Sequence, residues 1–326
     1  MVTMLRLATG GTSATRILGI GSTQPEQRVT NEDLSKHMDT SDQWIRERVG
    51  IVERRFAAKD ETAEDMAVVA GSKAIADAGL EPSDVDTVIL ANCTSMVPIP
   101  NYAAPVADRI GIKAAGAFDL NAACAGFCYS LAVASDLVRC GSAGRVLVIG
   151  AEKLTDVVDP VDRANAIIFA DGAGAAVVGP SDEPGIGPVV WGTAGDLVDM
   201  IYMRDGKYIY QEGQSVFRWA TTQIAPIALR ALEAAGLQPS DVDVLVPHQA
   251  NLRIVEAIGK RLRKVGARED LVVADDIVYS GNTSSASIPM AIDHMRDAGK
   301  VRSGDVALLV VFGAGLSYAG QVVICP

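Results

Sequence analysis

One cysteine in this sequence stands where a thiol could act as a nucleophile. The stretch Asp119-Leu-Asn-Ala-Ala-Cys124-Ala-Gly-Phe-Cys128 predicts that a short apolar strand ends and that a helix runs from about Cys124 to Cys140. The start of a helix favours an anion through its free N–H groups and its positive dipole end. We therefore expect a lowered pKa for the Cys124 thiol, and the small residues beside it leave room for a second molecule.

Two polar side chains elsewhere in the chain could assist this thiol. His248 follows a buried strand in the segment Val-Pro-His-Gln-Ala-Asn, and ligands bind at the carboxyl ends of strands in open α/β sheets. Asn282 lies in the segment Ser-Gly-Asn-Thr-Ser. For His248, a structural role as a hydrogen-bonded core residue is as plausible as a catalytic role. For Asn282, the segment alone favours a turn before the start of a helix. Their function depends on whether the fold brings them to Cys124.

An internal repeat indicates that the fold does bring these residues to Cys124. Ala74–Leu90 and Ala231–Pro247 are identical at nine of seventeen positions, with a constant offset of 157 residues. Each copy reads as the end of a helix, a Pro-Ser-Asp turn and a buried strand. At this offset Cys124 is aligned with Gly281, next to Asn282. Two copies of one α/β unit predict a pseudo-symmetric pair in which Asn282 faces Cys124 across the axis.

The repeat divides the chain into an N-terminal half, residues 1–180, and a C-terminal half, residues 181–326. Buried apolar strands alternate with helices, which indicates a layered α/β fold with both sheet faces covered. The stretch 167–178 is interpreted as two strands around a glycine turn, and residues 1–13 as a loose tail. Helices are predicted at 63–78, 103–110, 216–235, 252–264 and 285–298, and strands at 16–22, 87–91, 146–150, 244–246, 306–312 and 317–324.

Composition excludes several classes of protein. The chain of 326 residues has a formal net charge of −11, whereas general nucleic-acid binding needs a basic face. No leader and no apolar run of about 18 residues is recognised, so neither secretion nor a membrane span is expected. The odd number of cysteines favours reduced thiols in the cytoplasm over a disulfide framework. Three histidines without paired ligand spacing predict no metal site.

Several basic and aromatic residues could hold an anionic cofactor tail or a partner. Any single arginine is usually solvated, but an aromatic ring beside an arginine could stack on a base. The candidates for the tail are Trp44, Arg48, Arg163, Asn251 and Arg253. The predicted helix from Arg253 also carries Lys260, Arg261, Arg263 and Lys264. On an acidic protein this helix is either a solvated face or a dock for an acidic partner.

The turn Phe312-Gly-Ala-Gly315 lies between the last two predicted strands. It is either a plain hairpin or a source of backbone N–H groups for a developing oxyanion, together with the N–H group of Cys124. The donor expected on the turn is Ala314. Cys128 falls one helical turn after Cys124 and is interpreted as core, and the Asp171-Gly-Ala-Gly stretch as structural because it lacks a nucleotide-binding context.

Taken together, these motifs resemble those of a known family. The chain resembles the β-ketoacyl-acyl-carrier-protein synthase III enzymes of the thiolase-like condensing-enzyme superfamily, from about Ile17 to the C-terminus. The motifs that carry the resemblance are Asp42-Gln-Trp-Ile, Arg48-Val-Gly-Ile, Ala123-Cys-Ala-Gly-Phe127, Phe169-Ala-Asp-Gly-Ala-Gly, His248-Gln-Ala-Asn-Leu-Arg253, Gly281-Asn-Thr-Ser284 and Phe312-Gly-Ala-Gly315.

The resemblance implies a five-layered αβαβα fold, a homodimer and a Cys–His–Asn triad. Cys124 would be the nucleophile, and His248 and Asn282 would assist decarboxylation. The basic helix would face an acyl carrier protein, and Ile99 would close the primer pocket of the partner subunit. The residues that would line the coenzyme A or phosphopantetheine channel are Trp44, Arg48, Arg163, Phe217, Asn251 and Arg253.

The implied reaction is a decarboxylative condensation of an acyl-CoA primer with malonyl-acyl-carrier protein, which initiates fatty acid synthesis without a further cofactor. A starter-unit synthase of a polyketide pathway and a plain acyltransferase remain alternatives. A thiolase would need a second cysteine where the chain has Gly313-Ala-Gly315, and a non-catalytic partner subunit would have lost Cys124. The segment Gly192–Phe217 is shorter than expected for the family, and Ala314 replaces a glycine of some relatives.

Overall fold

Two sheets of apolar strands form the centre of the computed structural model, which describes residues 10–326. Of the tail predicted at residues 1–13, residues 1–9 lie outside the described residues. The strands are β1 (Ala14–Thr23), β2 (Gln27–Thr30), β3 (Glu53–Phe56), β4 (Thr87–Ala91), β5 (Gly116–Leu120), β6 (Val146–Lys153), β7 (Asp171–Ser181), β8 (Val190–Thr193), β9 (Ile201–Arg204), β10 (Tyr208–Gln211), β11 (Val244–Pro247), β12 (Val272–Val273), β13 (Val306–Phe312) and β14 (Ser317–Ile324). The helices are α1 (Asn31–Ser35), α2 (Asp42–Val49), α3 (Ala63–Asp77), α4 (Ala103–Ile110), α5 (Gly126–Cys140), α6 (Arg163–Ala166), α7 (Gly213–Ala235), α8 (Leu252–Lys264), α9 (Ile277–Ser280) and α10 (Ser287–Asp297).

The two central sheets repeat one topology. The first has the order β1-β7-β6-β4-β5, and the second has the order β8-β14-β13-β11-β12. In both, three neighbouring strands are parallel and the remaining two are antiparallel to their neighbours. The repeated block forms the same unit in each half, a single-turn 3₁₀ helix at Pro82–Asp84 or Pro239–Asp241 that leads into β4 or β11. The internal repeat is therefore a structural repeat.

Alternating side chains on the strands divide the core into layers. On β4, Val88 packs outward against α3 and α4, whereas Ile89 packs inward against α5. On β13, Leu308 packs outward against α7 and α8, and Leu309 packs inward. Because α5 and α10 lie between the two sheets, the order of layers is αβαβα, as predicted.

The stretch 167–178 is not a pair of strands, and that prediction is wrong. Its larger part belongs to β7, one continuous strand between β1 and β6. The glycines of this strand make no turn. A Cβ atom on Gly174 would lie 2.9 Å from the backbone nitrogen of Met290, so glycine allows α10 to pack on the sheet.

Two small sheets of two strands each escaped the sequence analysis. The strands β2 and β3 pair outside the central sheets, and so do β9 and β10. The pair of β9 and β10 is a hairpin that turns at Asp205 and Gly206, both of which have positive φ angles. An Asp-Gly pair is a common hairpin signal because both residues tolerate this conformation, so the sequence did contain it. The short segment Gly192–Phe217 contains this hairpin.

One segment, Ala123–Cys140, is long and apolar enough to cross a membrane by length and composition alone. The expectation that no apolar run reaches this length is therefore corrected. Of this segment, 56% is buried inside the protein. It contains α5, which packs between the two sheets. A helix that is apolar on most sides suits a position in the centre of a layered core.

Candidate active site

The predicted nucleophile and both predicted assisting residues line one cavity. Cys124 lies before α5, His248 follows β11 and Asn282 lies between α9 and α10, so the site draws on both halves of the chain. The cavity has a volume of about 240 Å³. His248 and Asn282 are only 2% and 5% exposed. The structure therefore brings together the three residues that the sequence singled out.

Cys124 is held in a tight turn rather than in the helix itself. The turn is a 3₁₀ segment, Ala123–Ala125, and α5 begins two residues after the cysteine. Ala123 adopts a φ angle of 48°, which places the cysteine at the turn. The turn after β13 approaches closely, because a Cβ atom on Gly313 would lie 2.7 Å from the Cys124 nitrogen. Glycine at this position brings Ala314 to the cavity beside the nucleophile.

The expectation of a lowered pKa for Cys124 is wrong. The pKa of this thiol is raised to about 12, mainly by burial and to a smaller extent by the nearby carboxylate of Glu152. The neighbouring Ser284 hydroxyl opposes the rise. Desolvation disfavours the charged form of a thiol, and here it outweighs the helix terminus. The resting nucleophile is therefore a protonated thiol that needs an acceptor for its proton.

The structure also corrects the alignment of the two repeats. The turn of Cys124 has its counterpart in the 3₁₀ segment Ser284–Ala286, in which Ser284 has a φ angle of 51°. Cys124 therefore corresponds to Ser285 rather than to Gly281. Asn282 corresponds to Asn121, and each asparagine accepts a hydrogen bond from the backbone two residues later. The prediction that Asn282 lies near the nucleophile holds, although the offset here is 161 residues.

The side chain of Asn282 is oriented by this local hydrogen bond. Its Oδ1 atom accepts from the N–H group of Ser284 at 2.8 Å. Its backbone bonds to Ile168 and Ala170, which fixes the residue against the start of β7. Because the oxygen is occupied, the NH2 group of Asn282 is the part available to a ligand in the cavity.

His248 is held in one tautomer by a serine that the sequence analysis missed. Its Nδ1 atom lies 2.8 Å from the Ser287 hydroxyl oxygen, which also accepts from the N–H group of Gln249 at 3.5 Å. Within residues 10–326, Nδ1 is the only acceptor bonded to this hydroxyl, so Ser287 donates and the ring proton lies on Nε2. Burial lowers the pKa of His248 to about 3, so the ring is neutral and can still donate.

We expect that Ser287→Ala slows any step that needs a hydrogen bond from His248. Without the serine hydroxyl, the two neutral tautomers of the ring become similar in energy. The loss of one buried hydrogen bond, about 1–3 kcal/mol, corresponds to a decrease of roughly 5- to 150-fold. Single-turnover rates of decarboxylation and of acylation, measured separately, check this effect. Ser287→Thr, which keeps the hydroxyl, should retain most of the rate, and an equal loss in both variants would contradict the tautomer role.

Of the residues predicted to hold a cofactor tail, Phe217 and Asn251 line the cavity, and the others are joined to them outside its lining. The guanidinium groups of Arg48 and Arg163 lie 5.2 and 4.8 Å from the ring centre of Trp44. On the other side, the guanidinium group of Arg253 lies 5.1 Å from the ring centre of Phe217. Asn251 caps α8 and donates to the backbone carbonyl of Arg48 at 3.2 Å, which joins the two groups. Cations that rest on aromatic faces suit an anionic, ring-containing ligand.

Sequence comparisons identify the family. The family model described as 3-Oxoacyl-[acyl-carrier-protein (ACP)] synthase III matches residues 118–195, and the model of its C-terminal part matches residues 232–325. The chain is 50% identical over 315 residues to β-ketoacyl-[acyl-carrier-protein] synthase III 4 of Streptomyces coelicolor, which covers 95% of this chain and 98% of that relative. The chain belongs to the β-ketoacyl-acyl-carrier-protein synthase III family. A synthase III of Mycobacterium avium is 46% identical, with 98% of both chains covered.

Solved structures of this family share the fold. The crystal structure of the priming β-ketosynthase from the R1128 polyketide biosynthetic pathway has a TM-score of 0.94 and 42% identity, with 98% of both chains covered. The 3-oxoacyl-[acyl-carrier-protein] synthase III of Aquifex aeolicus has a TM-score of 0.91 and 38% identity, with 95% of this chain and 100% of that chain covered. The chain is thus an acyl-transferring condensing enzyme with a thiolase-like fold.

The basic helix of this synthase lies beside the mouth of the cavity. Arg253 lies in the first turn of α8, and Lys260, Arg261 and Lys264 are exposed along the helix. Arg263 is less accessible than these residues, because its guanidinium group donates to the backbone carbonyl of Leu271 and is half-buried. Four of the five residues predicted to dock a partner are therefore exposed.

The rim of the cavity is built by the hairpin of β9 and β10. Ile201, Tyr202, Met203 and Ile209 line the cavity from this hairpin. The short segment Gly192–Phe217 therefore contributes a hairpin wall to the cavity. Phe169, from the predicted Phe-Ala-Asp motif, also lines the cavity. Within residues 10–326 there is no group of three or more His, Cys, Asp or Glu side chains that could hold a metal ion.

Proposed function

We propose that Cys124, His248 and Asn282 carry out the reaction of this family, the decarboxylative condensation of an acyl-CoA primer with malonyl-acyl-carrier protein. The observation that carries the assignment is their position on one largely buried cavity, with the Cys124 thiol and two hydrogen-bond donors directed at the same space. A thiol supplies the covalent step, and two neutral donors supply stabilisation of an enolate without an acid.

In the first half-reaction, the Cys124 sulfur attacks the thioester carbon of acyl-CoA, and the acyl group becomes bound to the enzyme as CoA leaves. The backbone N–H groups of Cys124 and Ala314 hold the oxyanion. The close approach of Gly313 to Cys124 supports this pairing, since it places both turns at one point of the cavity. Such donors act where negative charge develops in the transition state.

In the second half-reaction, malonyl-acyl-carrier protein enters the emptied channel. His248 Nε2 and the Asn282 NH2 group donate to its thioester oxygen while carbon dioxide leaves, and the resulting carbanion attacks the acyl group on Cys124. The neutral state of His248 supports this role, because an imidazole without charge can donate and does not protonate the carbanion. The mouth with Trp44, Arg48, Arg163, Phe217, Asn251 and Arg253 would bind the phosphopantetheine and nucleotide parts of the substrates.

We expect that charge reversal on α8 weakens the reaction with malonyl-acyl-carrier protein alone. Lys260→Glu combined with Arg261→Glu should raise KM for the carrier-protein substrate by about tenfold, since the exposed cations attract an acidic partner. The KM for acyl-CoA in the acylation step should change little. Arg302→Glu is the matched control, because Arg302 is exposed at the opposite end of β13 from the cavity. An equal effect of both variants would contradict docking on α8.

A homodimer is supported by one edge of the first sheet. Among residues 10–326 the strand β5 pairs only with β4, and Phe118 on it is 37% exposed. Met96, Val97 and Ile99 near this edge are also exposed, and Ile99 is 82% exposed. An open apolar edge of this kind suits pairing with a second copy, in which Ile99 would reach the partner's primer pocket. Light scattering that gave the 34.1 kDa mass of one chain would contradict the dimer.

The main alternative is the initiation of a specialised polyketide. It is favoured by the likeness to the R1128 priming β-ketosynthase. Both pathways use the same two half-reactions and differ in the primer and in the carrier protein. The free thiols and the two expected substrates suit a cytoplasmic enzyme without a further cofactor, and cell fractionation tests this location.

The experiment that tests the proposal is intact-mass detection of acylated enzyme across a panel of straight, branched and longer acyl-CoAs. Each adduct is mapped to a peptide, and the intact acyl-enzyme is separately incubated with malonyl-acyl-carrier protein. We expect an adduct on Cys124 that disappears as a β-ketoacyl product and carbon dioxide form. The absence of any adduct on Cys124 would reject the proposal, and an adduct that passes to water or to an alcohol without carbon dioxide release would favour a plain acyltransferase.

A further inference from the structure

A buried carboxyl group near the nucleophile has no part in the steps above. Glu152 lies near the end of β6 and is fully buried. Its Oε2 atom accepts hydrogen bonds from the backbone N–H groups of Cys93 and Thr94 at 3.0 and 3.1 Å, and its Oε1 atom accepts from the Ser285 hydroxyl at 2.7 Å. Burial raises the pKa of this carboxyl group, but three such donors favour its ionised form.

Two side chains connect this carboxylate to the nucleophile. The Cys93 sulfur lies 3.4 Å from Glu152 Oε1 and 3.5 Å from the Ser284 hydroxyl oxygen. Ser284 also lies close enough to Cys124 for its hydroxyl to lower the pKa of that thiol. Cys93, Cys124 and Ser284 all line the same cavity. The four side chains therefore lie in one row that leads from the nucleophile to a buried carboxylate.

The row is built by the turn that corresponds to the nucleophile turn in the other half. Ser284 has a φ angle of 51°, which is unusual for a residue other than glycine. The bond from its N–H group to Asn282 holds it there. The turn packs directly on β6, because a Cβ atom on Gly150 would lie 2.6 Å from the backbone oxygen of Ser285. The pseudo-symmetry thus places a serine hydroxyl beside the thiol.

We propose that Ser284, Cys93 and Glu152 form a proton relay that takes the thiol proton of Cys124 during acylation and returns it when the product leaves. The proposal rests on the proposed role of Cys124 as the nucleophile. As the Cys124 sulfur forms its bond to the acyl carbon, its proton passes to the Ser284 oxygen. The Ser284 proton passes to the Cys93 sulfur, and the Cys93 proton passes to Glu152. The C–S bond to CoA breaks, and CoA leaves as a thiolate that takes a proton from water.

The second half-reaction reverses the shift. The carbanion attacks the acyl carbon, and the C–S bond to Cys124 breaks with its electron pair on sulfur. The proton stored on Glu152 then returns to Cys124 through Cys93 and Ser284. Each turnover consumes one proton from solvent, the one bound by CoA, and both sulfurs of the enzyme end as thiols.

The relay resolves the difficulty that burial creates for this thiol. A thiolate formed alone in the cavity would be an additional buried charge, which is strongly disfavoured. Transfer along the row moves one negative charge from the carboxylate to sulfur and creates no second charge. In the acyl-enzyme Glu152 is then neutral, so no buried carboxylate repels the malonyl carboxylate when it enters the cavity.

The other titratable groups around Glu152 do not compete for this role. Lys153, the next residue on β6, donates to three backbone carbonyls after β3. Asp171, on the neighbouring strand β7, accepts from the backbone and hydroxyl of Thr155. His248 lies on the same cavity but bonds through Nδ1 to Ser287. Cys93 and Cys124 are thus the titratable groups in the row of side chains that ends at the Glu152 carboxylate.

The test compares Cys93→Ala, which breaks the row, with Cys93→Ser, which restores a donor and an acceptor at the same place. Acylation of Cys124 by acyl-CoA is followed by rapid quench and intact mass from about pH 6 to 9. We expect the wild-type rate to change little over this range, because the proton goes to an internal acceptor. Cys93→Ala should be at least about tenfold slower near neutral pH, with a rate that rises with hydroxide concentration, and Cys93→Ser should recover most of the loss.

Glu152→Gln separates the relay from simple electrostatics. The carboxylate raises the pKa of Cys124, so its removal alone would make the thiol more reactive to iodoacetamide and acyl-CoA. The relay instead predicts faster alkylation at high pH but slower acylation near neutral pH. Circular dichroism and thermal unfolding confirm that each variant is folded, and if Glu152→Gln is not, the two Cys93 variants decide. Equal rates and pH profiles in Cys93→Ala and the wild type, or equal losses in both Cys93 variants, would overturn the relay. A wild-type enzyme that forms no adduct on Cys124 would instead contradict the proposed function.

Discussion

Replacement of Cys124 by alanine is expected to abolish acyl transfer while the protein stays folded. Without the sulfur no acyl-enzyme can form, and loss of the nucleophile in covalent catalysis lowers the rate by at least about 10⁴-fold. The side chain is only half-buried and small, so the free energy of unfolding should change by no more than about 1 kcal/mol. Intact mass after incubation with acyl-CoA measures acyl-enzyme formation, a condensation assay measures the rate, and a thermal melt measures stability.

Cys140→Ala provides the matched control for this variant. Cys140 is exposed at the end of α5 and does not line the cavity, so its removal should leave the acylation rate as it is. Peptide mapping is needed because Cys93 also lines the cavity and could accept an acyl group. Condensation that persists in Cys124→Ala at more than a trace would show that another group carries the acyl chain.

Much of the framework of the site could be predicted because its signals are local. The Pro-Ser-Asp turns and the apolar strands after them recur in both halves, and the structure has them at Pro82–Asp84 and Pro239–Asp241. The small residues around Cys124 and the segment around His248 lie at the ends of strands, where open α/β sheets bind ligands. Position relative to strand ends is a property that sequence periodicity reveals.

The electrostatics of the site could not be predicted in the same way. The helix start next to Cys124 is visible in the sequence, but its effect on the thiol is smaller than that of burial, which depends on packing from both halves. Ser287 and Glu152 lie 39 residues from His248 and 59 residues from Cys93, and nothing in the sequence marks these pairs. Side chains that act through a contact from another element become visible only in the fold.

The offset between the repeats shows a further limit of sequence alignment. The offset of 157 residues is correct for β4 and β11 but shifts to 161 at the nucleophile turn. The segment between strand and turn is longer in the second half, where α8 has 13 residues and α4 has 8. Insertions in helices and loops of the outer layers are tolerated as long as the turns at the cavity keep their positions.

Replacement of His248 by alanine is expected to separate the two half-reactions. Acylation of Cys124 should proceed, because in the described part of the chain His248 bonds only to Ser287 and to backbone groups, and the proton relay does not pass through it. Decarboxylation of malonyl-acyl-carrier protein on the preformed acyl-enzyme should fall by about 10²- to 10³-fold, the usual effect of removing one donor to a developing oxyanion. Release of labelled carbon dioxide in a single turnover measures this step.

The pH dependence of the decarboxylation rate distinguishes a neutral His248 that donates a hydrogen bond from a charged His248 that acts as an acid. Because burial lowers the pKa of His248 to about 3, the ring stays neutral above that pH, and the wild-type decarboxylation rate should show no titration near pH 6.5. His294→Ala is the control, since His294 pairs with Asp276 and does not line the cavity. A histidine that acted as a charged acid would instead give a rate that decreases as the pH rises through 6.5. Rapid decarboxylation by His248→Ala would reject the role of this residue, and Asn282 would then be the main donor to the enolate.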